Sequence, residues 1–238
     1  MRYGDKLIQQ NLNFDILERD VFIIMGGSGC GKSTLLKHLI GLYMPAKGQI
    51  LLDRQDIWTV PPSQREALLR HFGVTYQAGA LISSMTLAEN IAMPLEMYTQ
   101  LSTGEIADLV ELKLSLVGLA GFQEYYPSEI SGGMLKRASL ARAIALDPDV
   151  LFFDEPSAGL DPISSRRLDD LILQLNESLC ATIVVVTHEL ASIFAIGNNA
   201  IFLDAKSKTM IANGHPRDLL DNSTDQRVQR FLRRQASE

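Results

Sequence analysis

Residues 21–33 read VFIIMGGSGCGKS, an apolar run followed by a glycine-rich loop that ends in Lys32 and Ser33. The loop begins at Gly26 and matches the pattern G-x-x-x-x-G-K-[ST] at every fixed position. An apolar strand precedes it and a leucine-rich helix, at about residues 33–40, follows it, which is the context the pattern requires. The stretch therefore predicts a strand, a phosphate-binding loop and a helix in succession.

The residue types in this loop suit a nucleotide phosphate. Glycines let successive N–H groups point at phosphate oxygens near the positive end of a helix. Lys32 would place its charge on the β- and γ-phosphates, and the Ser33 hydroxyl would bind Mg²⁺. The alternative, a chance glycine-rich turn before Lys-Ser, is disfavoured by the flanking elements. The predicted ATP contacts here are Gly26, Gly27, Ser28, Gly29, Cys30 (as a small filler rather than a redox sensor), Gly31, Lys32, Ser33 and Thr34.

Further apolar runs of strand length alternate with amphipathic stretches along the chain. Residues 73–76, 150–153 and 182–186 are such runs, and 201–203 is expected to be an edge strand or a hairpin arm. Continuous apolar strands separated by helices indicate an α/β fold with a largely parallel sheet. From about Met85 to Glu129 the pattern is instead helical and poor in strands, which predicts an inserted helical subdomain. Its apolar positions are Leu87, Ile91 and Leu95, then Leu109, Leu112, Leu116 and Leu119.

Composition narrows the class of protein. The 238 residues carry a net charge of −6, which argues against nucleic acid as the main partner. Two cysteines, Cys30 and Cys180, do not form a disulfide framework and favour a reducing compartment. No run reaches the ~18 apolar residues of a membrane span, and the first residues do not resemble a signal peptide. We expect a cytoplasmic protein unless a partner holds it to a membrane.

Two carboxylates close the run at 150–153. A carboxylate at the end of a strand beside a phosphate loop is where a Mg²⁺ ligand belongs, so Asp154 takes that role. Glu155 is then placed to orient or deprotonate the attacking water. An acidic pair of this kind is otherwise a solvated strand end, and the phosphate loop favours the catalytic interpretation.

Other motifs resemble those of one family. Ile130 to Met134 resembles the LSGGQ signature of ABC ATPases, with Ile and Met where Leu and Gln are usual. Residues 154–162 resemble the Walker B motif and D-loop together, Tyr76-Gln77 the Q-loop, and Thr187-His188-Glu189 the H-loop. Tyr3-Gly4 resembles the A-loop, whose aromatic ring stacks on adenine. The strand usually found before it is expected either to be short or missing, or to lie upstream of this sequence.

The resemblance implies a P-loop NTPase fold of ABC-ATPase type: a mainly parallel core sheet with an antiparallel β edge and an inserted helical subdomain. One domain would span 1–238, with its core at about 1–84 and 146–215, its helices at about 85–145 and a tail at about 216–238. Within that tail, the pattern of residues 225–234 predicts a short basic amphipathic helix. The simpler interpretation of its arginines is that they form a solvent-exposed face.

The resemblance also implies a mechanism. Ser131, Gly132 and Gly133 would bind the ATP held by a second copy of the chain, so that two ATP molecules join a head-to-tail dimer. His188 would contact the γ-phosphate, and Asp161 would contact the dimer partner and contribute to the ATP site. Gln77 would join Ser33 and Asp154 as a metal ligand, and it begins the segment 78–82 that in the family lies near the groove for the permease.

A closer resemblance is to the ATPase of Mla-type (Mce-associated) lipid transporters. This resemblance rests on several segments of the sequence. They are residues 76–81 and 85–95, the signature that ends in Met134, residues 136–137 and 141–146 after it, and residues 227–232 in the tail. It implies a membrane permease, an Mce-domain substrate-binding protein, a possible small accessory subunit, phospholipid transport, and a place on the cytoplasmic face of the inner membrane.

Several alternatives stay open or are disfavoured by particular residues. An importer of amino acids or metals, or a non-transporting ATPase of cell-division type, would share the same ATPase motifs. Glu155 argues against a non-hydrolytic nucleotide sensor. The insert is too short, and lacks the sustained heptads, for a chromosome-maintenance ATPase with a long coiled coil.

Overall fold

A computed structural model describes residues 1–3, 6–77 and 79–233. In chain order the elements are β1 (Arg2–Tyr3), β2 (Lys6–Leu7), β3 (Val21–Gly26), α1 (Lys32–Leu39), β4 (Leu51–Leu52), β5 (Gln55–Asp56), α2 (Pro62–Leu69), β6 (Phe72–Thr75), α3 (Leu87–Tyr98), α4 (Thr103–Leu116), a 3-10 turn (Pro127–Glu129), α5 (Gly132–Ala143), β7 (Val150–Asp154), α6 (Pro162–Leu179), β8 (Thr182–Val186), α7 (Leu190–Ile196), β9 (Asn199–Asp204), β10 (Thr209–Gly214), α8 (Pro216–Asn222) and α9 (Gln226–Leu232). The chain divides into two compact units, one of Met1–Leu69 with the residues from Thr182 onward, the other of Arg70–Ala181.

The first unit is built on four strands in the order β10-β9-β3-β8. Strand β3 pairs in parallel with both β8 and β9, and β9 pairs antiparallel with β10. Every residue of β3 and of β8 is buried. Each large apolar side chain buried in this way contributes roughly 1.5–3 kcal/mol. Residues 201–203 lie in β9, which forms a hairpin with β10, so the prediction of a hairpin arm is confirmed. The alternative, an edge strand, is wrong, because β10 pairs with the outer side of β9.

Two small antiparallel ladders also belong to the first unit. Strands β1 and β2 form one ladder and β4 and β5 form the other, each with two residues per strand. Strand β1, at Arg2–Tyr3, contains the predicted A-loop residue itself, so the expectation about a strand before that residue stays a prediction. The second ladder and helix α2 were not predicted, because their short, polar segments carry little periodicity.

The second unit combines two parallel strands with helices. Strand β6 pairs with β7, Thr75 standing opposite Phe153. Helices α3, α4 and α5 pack on one another, and α5 packs on β6. No strand occurs among residues 79–149, so the predicted helical segment is confirmed, together with the mainly parallel sheet and its antiparallel edge.

Capping residues fix where these helices begin. Thr86 and Glu89 form a reciprocal capping box at the start of α3, and Ser102 and Glu105 form another at the start of α4. Each box satisfies backbone N–H groups that the first turn leaves without intrahelical partners. Asn90, which is fully buried, adds hydrogen bonds to the backbone of the preceding loop, accepting from the amide of Ile82 at 2.8 Å. This loop is therefore held to α3.

The buried face of α4 differs from the predicted one. Leu87, Ile91 and Leu95 of α3 are buried as expected, but Leu112 and Leu116 of α4 are 50% and 39% exposed. Two apolar stripes compete on α4, and the one that packs inward contains Ile106, Val110 and Leu114. A single-sequence pattern does not decide between two such stripes, because the neighbouring helices choose the face.

Candidate nucleotide-binding site

The phosphate loop leaves the end of β3 in the first unit and leads into α1. Gly29 and Gly31 have φ angles of 71° and 100°, in the left-handed region that favours glycine. At Gly31 a side chain would also meet Ile8, whose Cγ2 would lie 2.6 Å from an added Cβ. The loop therefore needs glycine at this position for two reasons, and its curled form follows from the sequence.

The open side of the loop suits phosphate oxygens. A Cβ added at Gly27 or Gly29 would meet no atom within 4 Å, and both residues are exposed. The Lys32 side chain, only 9% exposed, folds back so that its ammonium donates to the carbonyl of Gly26 at 3.0 Å. Ser33 is exposed in the first turn of α1, and Thr34 follows it. Together these residues offer N–H groups, one positive charge and a hydroxyl to an anion.

Cys30 packs inward from the same loop. Its side chain is 1% exposed, and burial raises the pKa of the thiol, which suppresses thiolate chemistry. The predicted role as a filler agrees with this burial. Gln9, which was not singled out from the sequence, is fully buried and donates from Nε2 to the carbonyl of Cys30 at 2.7 Å and to that of Asp204 at 3.0 Å. A lone glutamine before a polar segment gives no signal for such a contact.

His188 leaves the sheet at the same edge as the loop. Strands β3 and β8 are parallel, with Ile24 opposite Val186, so both strands end on one side of the first unit. The amide of Thr187 donates to the carbonyl of Ile24 at 3.3 Å. The His188 side chain is 56% exposed, with Nε2 4.0 Å from Oε1 of Glu189. The imidazole is thus accessible to a ligand held by the phosphate loop.

In the second unit, predicted site residues lie at the C-terminal ends of strands β6 and β7. Because β6 and β7 are parallel, Gln77 and the pair Asp154 and Glu155 follow the same ends of neighbouring strands. Gln77 is exposed and Asp154 half-buried. Burial and the nearby Asp154 charge raise the pKa of Tyr76, which keeps this phenol neutral. An amide oxygen and a carboxylate therefore lie at the same end of these two strands.

Glu155 has an unusual backbone conformation. Its φ angle is +50°, a region that costs a residue with a side chain roughly 1–2 kcal/mol. The turn that follows is closed by the amide of Ala158, which donates to the carbonyl of Glu155 at 3.2 Å. The Lys136 ammonium donates to the carbonyl of Pro156 at 2.6 Å and lies 3.5 Å from that of Glu155. Lys136 belongs to a segment that resembles the Mla-type ATPases, but no sequence pattern indicates this contact.

The signature residues form the exposed first turn of α5. Ser131 is the N-cap, and its hydroxyl accepts from the amide of Met134 at 3.3 Å. Gly132 is exposed, and an added Cβ there would meet nothing. The helix begins at Gly132, because a serine cap can initiate a helix through two glycines. A helix N-terminus with two glycines is open to an approaching anion.

Asp161 caps helix α6 and is exposed. Its Oδ1 accepts from the amides of Ile163 and Ser164, each at 3.0 Å, and hydrogen bonding with Ser164 lowers the pKa of its carboxyl group. Asp161 thus has a structural role in its own chain.

The side chain of Tyr3, all of Gly4 and all of Ala78 lie outside what the structure describes, so the predicted adenine contact and part of the segment 78–82 are not observed.

No group of three or more His, Cys, Asp and Glu residues within 1–3, 6–77 and 79–233 could by itself hold a metal ion. The predicted ligands Ser33, Gln77 and Asp154 offer a hydroxyl, an amide oxygen and a carboxylate. Oxygen donors of this kind fit Mg²⁺, which is usually bound by few protein groups together with substrate phosphates. The donor chemistry therefore suits a magnesium–nucleotide complex.

Comparison with known proteins decides the family. A family model described as ABC transporter matches residues 9–158. The chain belongs to the ABC transporter ATPases. This ABC ATPase is 43% identical over 231 residues to the intermembrane phospholipid transport system ATP-binding protein MlaF of Haemophilus influenzae, covering 97% of this chain and 86% of that one. It is 41% identical to the probable ribonucleotide transport ATP-binding protein mkl of Mycobacterium leprae, covering 97% of this chain and 65% of that one.

A solved structure agrees with this membership. The dimeric post-hydrolysis state of the ATP-binding cassette MJ0796 bound to ADP and Pi aligns with a TM-score of 0.79 at 29% identity, covering 87% of this ABC ATPase and 90% of that chain. The ABC ATPase fold and ATP hydrolysis predicted from the motifs are therefore confirmed. Among the helices of the described residues, none has the length and hydropathy needed to cross a membrane.

Proposed function

We propose that this chain is the ATP-hydrolysing subunit of a transporter that moves phospholipid, working as a homodimer beneath a membrane permease. The observation that carries the lipid assignment is the 43% identity to an MlaF protein along nearly the whole chain. The segments that resemble the Mla-type ATPases, including the signature with Met134, support this assignment. The chain would then act at the cytoplasmic face of the inner membrane, although it does not contact the lipid itself.

The residues take these roles toward ATP. Backbone N–H groups of residues 26–34 and the Lys32 ammonium bind the phosphates, while Tyr3 stacks on adenine. Glu155 holds the attacking water and accepts its proton, and His188 donates a hydrogen bond to the γ-phosphate. Ser33, Gln77 and Asp154 would hold Mg²⁺, which would supply positive charge for the phosphate oxygens. The chain contributes position and charge rather than a covalent intermediate.

The signature turn supports a head-to-tail dimer. The first turn of α5, formed by Ser131, Gly132 and Gly133, is exposed and carries the positive end of the helix. It would bind the γ-phosphate of the ATP held by the second copy, with Asp161 at the same interface. The dimeric relative bound to ADP and Pi supports this arrangement. Hydrolysis would remove the contact and release the two copies.

The remaining partners follow from the Mla-type resemblance: an integral membrane permease engaged near residues 78–82, an Mce-domain substrate-binding protein and a small accessory subunit. A second candidate is transport of a nucleotide-like solute, because the mkl relative, almost as similar at 41% identity, is named a probable ribonucleotide transport protein. The two candidates share the ATPase chemistry and differ in the cargo of the membrane complex.

Affinity purification of tagged Glu155→Gln from detergent-solubilised membranes with ATP tests the assignment. We expect a multi-span permease, an Mce-domain protein and bound phospholipid to co-purify. The Lys32→Ala variant is the matched control, since it should not form the ATP-dependent dimer. A permease with a different binding protein and no lipid would contradict phospholipid transport, and nucleotide-like cargo would favour the second candidate.

A further inference from the structure

Lys136 connects two functional segments of the second unit. It lies in α5, one turn beyond the signature residues Ser131–Gly133. Its ammonium donates to the carbonyl of Pro156 at 2.6 Å and approaches that of Glu155 at 3.5 Å. The side chain therefore bridges the signature helix and the backbone of the proposed catalytic glutamate.

The backbone at Glu155 and Pro156, which Lys136 contacts, needs surrounding groups to hold its conformation. Glu155 adopts a φ of +50°, and a residue with a Cβ persists there only when its surroundings hold it. Inside the turn, the Ala158 amide also donates to the Glu155 carbonyl. Rotation of these peptide units would re-aim the Glu155 carboxylate, because the side chain follows its own φ and ψ. A charged donor on two successive carbonyls opposes that rotation.

The surroundings of Lys136 do not match those of an ordinary surface lysine. Its side chain is half-buried and lines a small cavity together with Tyr76, Ser139 and Phe153. Burial lowers the pKa of Lys136, and the nearby charge of Glu155 opposes that shift. A solvated helix face would leave the ammonium exposed and without directed hydrogen bonds. The enclosed position and the short contact to Pro156 indicate a fixed role.

We propose that Lys136 is a positioning residue that holds Glu155 in its hydrolytic conformation and links it to the signature turn of the same chain. This inference rests on the proposed function, in which Glu155 acts on the chain's own ATP and the signature turn binds the partner's ATP. Lys136 then couples the two ATP sites of the dimer: ATP bound at the signature turn fixes α5, and α5 fixes the backbone of Glu155 at the other site.

The test compares Lys136→Met with Lys136→Arg in the full chain, alone and in complex with its membrane partners. Methionine keeps the length of the side chain and removes the charge. We expect Lys136→Met to lower kcat roughly 10- to 100-fold, with KM and ATP affinity within about twofold of wild type. Lys136→Arg should restore most of kcat, since guanidinium N–H groups can reach both carbonyls. Lys47→Met, at an exposed lysine, is the matched control.

A second readout separates positioning from simple loss of packing. Melting temperature is measured for each variant, and Lys136→Gln replaces Lys136→Met if the latter does not fold. Unchanged kcat in the uncharged variant, or a fall in kcat that arginine does not rescue, would overturn the inference. Failure of the proposed function has a different signature, because Glu155→Gln would then hydrolyse ATP at the wild-type rate.

Discussion

Arg227 of α9 and Asp204 at the end of β9 form an ion pair, with Nη1 2.7 Å from Oδ2. Nearby, the rings of Phe231 and Phe202 meet edge to face with centroids 5.1 Å apart. The predicted tail helix is confirmed at Gln226–Leu232, and it is anchored rather than solvated all round, because Val228 and Leu232 are buried. Asp204 also lies next to the phosphate loop through Gln9, which donates to its carbonyl.

Substitution of Asp204 should change stability and its dependence on pH. Burial acts to raise the pKa of Asp204, but hydrogen bonds from Ser207 and the charge of Arg227 outweigh it, so the folded-state pKa is lowered. The resulting stabilisation is present above the unfolded pKa of about 3.9 and is lost as pH falls through the folded value. Asp204→Asn should cost roughly 1–3 kcal/mol near neutral pH.

Thermal melting between pH 7 and pH 3 checks this. The variant should melt below wild type at pH 7, and the gap should narrow as the solution is acidified. Asp108→Asn, at an exposed aspartate of α4, serves as control and should follow the wild-type curve. Parallel curves for wild type and Asp204→Asn would contradict the ion-pair account.

Removal of the Lys32 charge should weaken ATP binding. Loss of a charge-assisted contact costs about 1.5–3 kcal/mol, which corresponds to roughly 10- to 100-fold in affinity. Equilibrium binding of a fluorescent ATP analogue to Lys32→Ala measures the loss, with Lys47→Ala as a matched exposed lysine. Tight binding by Lys32→Ala would remove the phosphate-loop assignment.

Glu155→Gln should bind ATP and dimerise but stall. An amide keeps the size of the side chain and cannot accept the proton of the attacking water, so turnover should fall roughly 10²- to 10⁴-fold. Phosphate release and size-exclusion chromatography with ATP report the two properties. Glu177→Gln, on an exposed turn of α6, should behave as wild type. Turnover at the wild-type rate in Glu155→Gln would exclude Glu155 as the base.

Ser131→Arg should block closure of the dimer while the monomer still binds ATP. The residue caps an exposed helix start, and a large cation there fills the space proposed for the partner's γ-phosphate. In the Glu155→Gln background, ATP-dependent dimerisation should be lost, whereas Ser115→Arg at an exposed position of α4 should leave it intact. An unaltered ATP-bound dimer would argue against a site completed by a second copy.

The sequence predicted those elements whose conformation depends mainly on their own residues. The loop at Gly26–Ser33 follows from glycine conformation, and β8 follows from a run of β-branched residues bounded as observed at Thr182–Val186. The contact of Lys136 with Pro156 could not be predicted, because the two residues are 20 positions apart and meet only when α5 packs in the folded unit. The same limit explains α4, where the packing of neighbouring helices, not periodicity, decides which leucines are exposed.

Burial of Cys30 leaves Cys180 as the accessible cysteine of the native chain. Of its two cysteines, Cys30 is enclosed with a raised pKa, whereas Cys180 is exposed at the end of α6. A maleimide reagent needs an accessible thiolate, so it should attach a spin label or fluorophore at Cys180 alone. Each copy in a dimer would then carry one probe, and distances between the probes could follow ATP-driven closure without any engineered substitution.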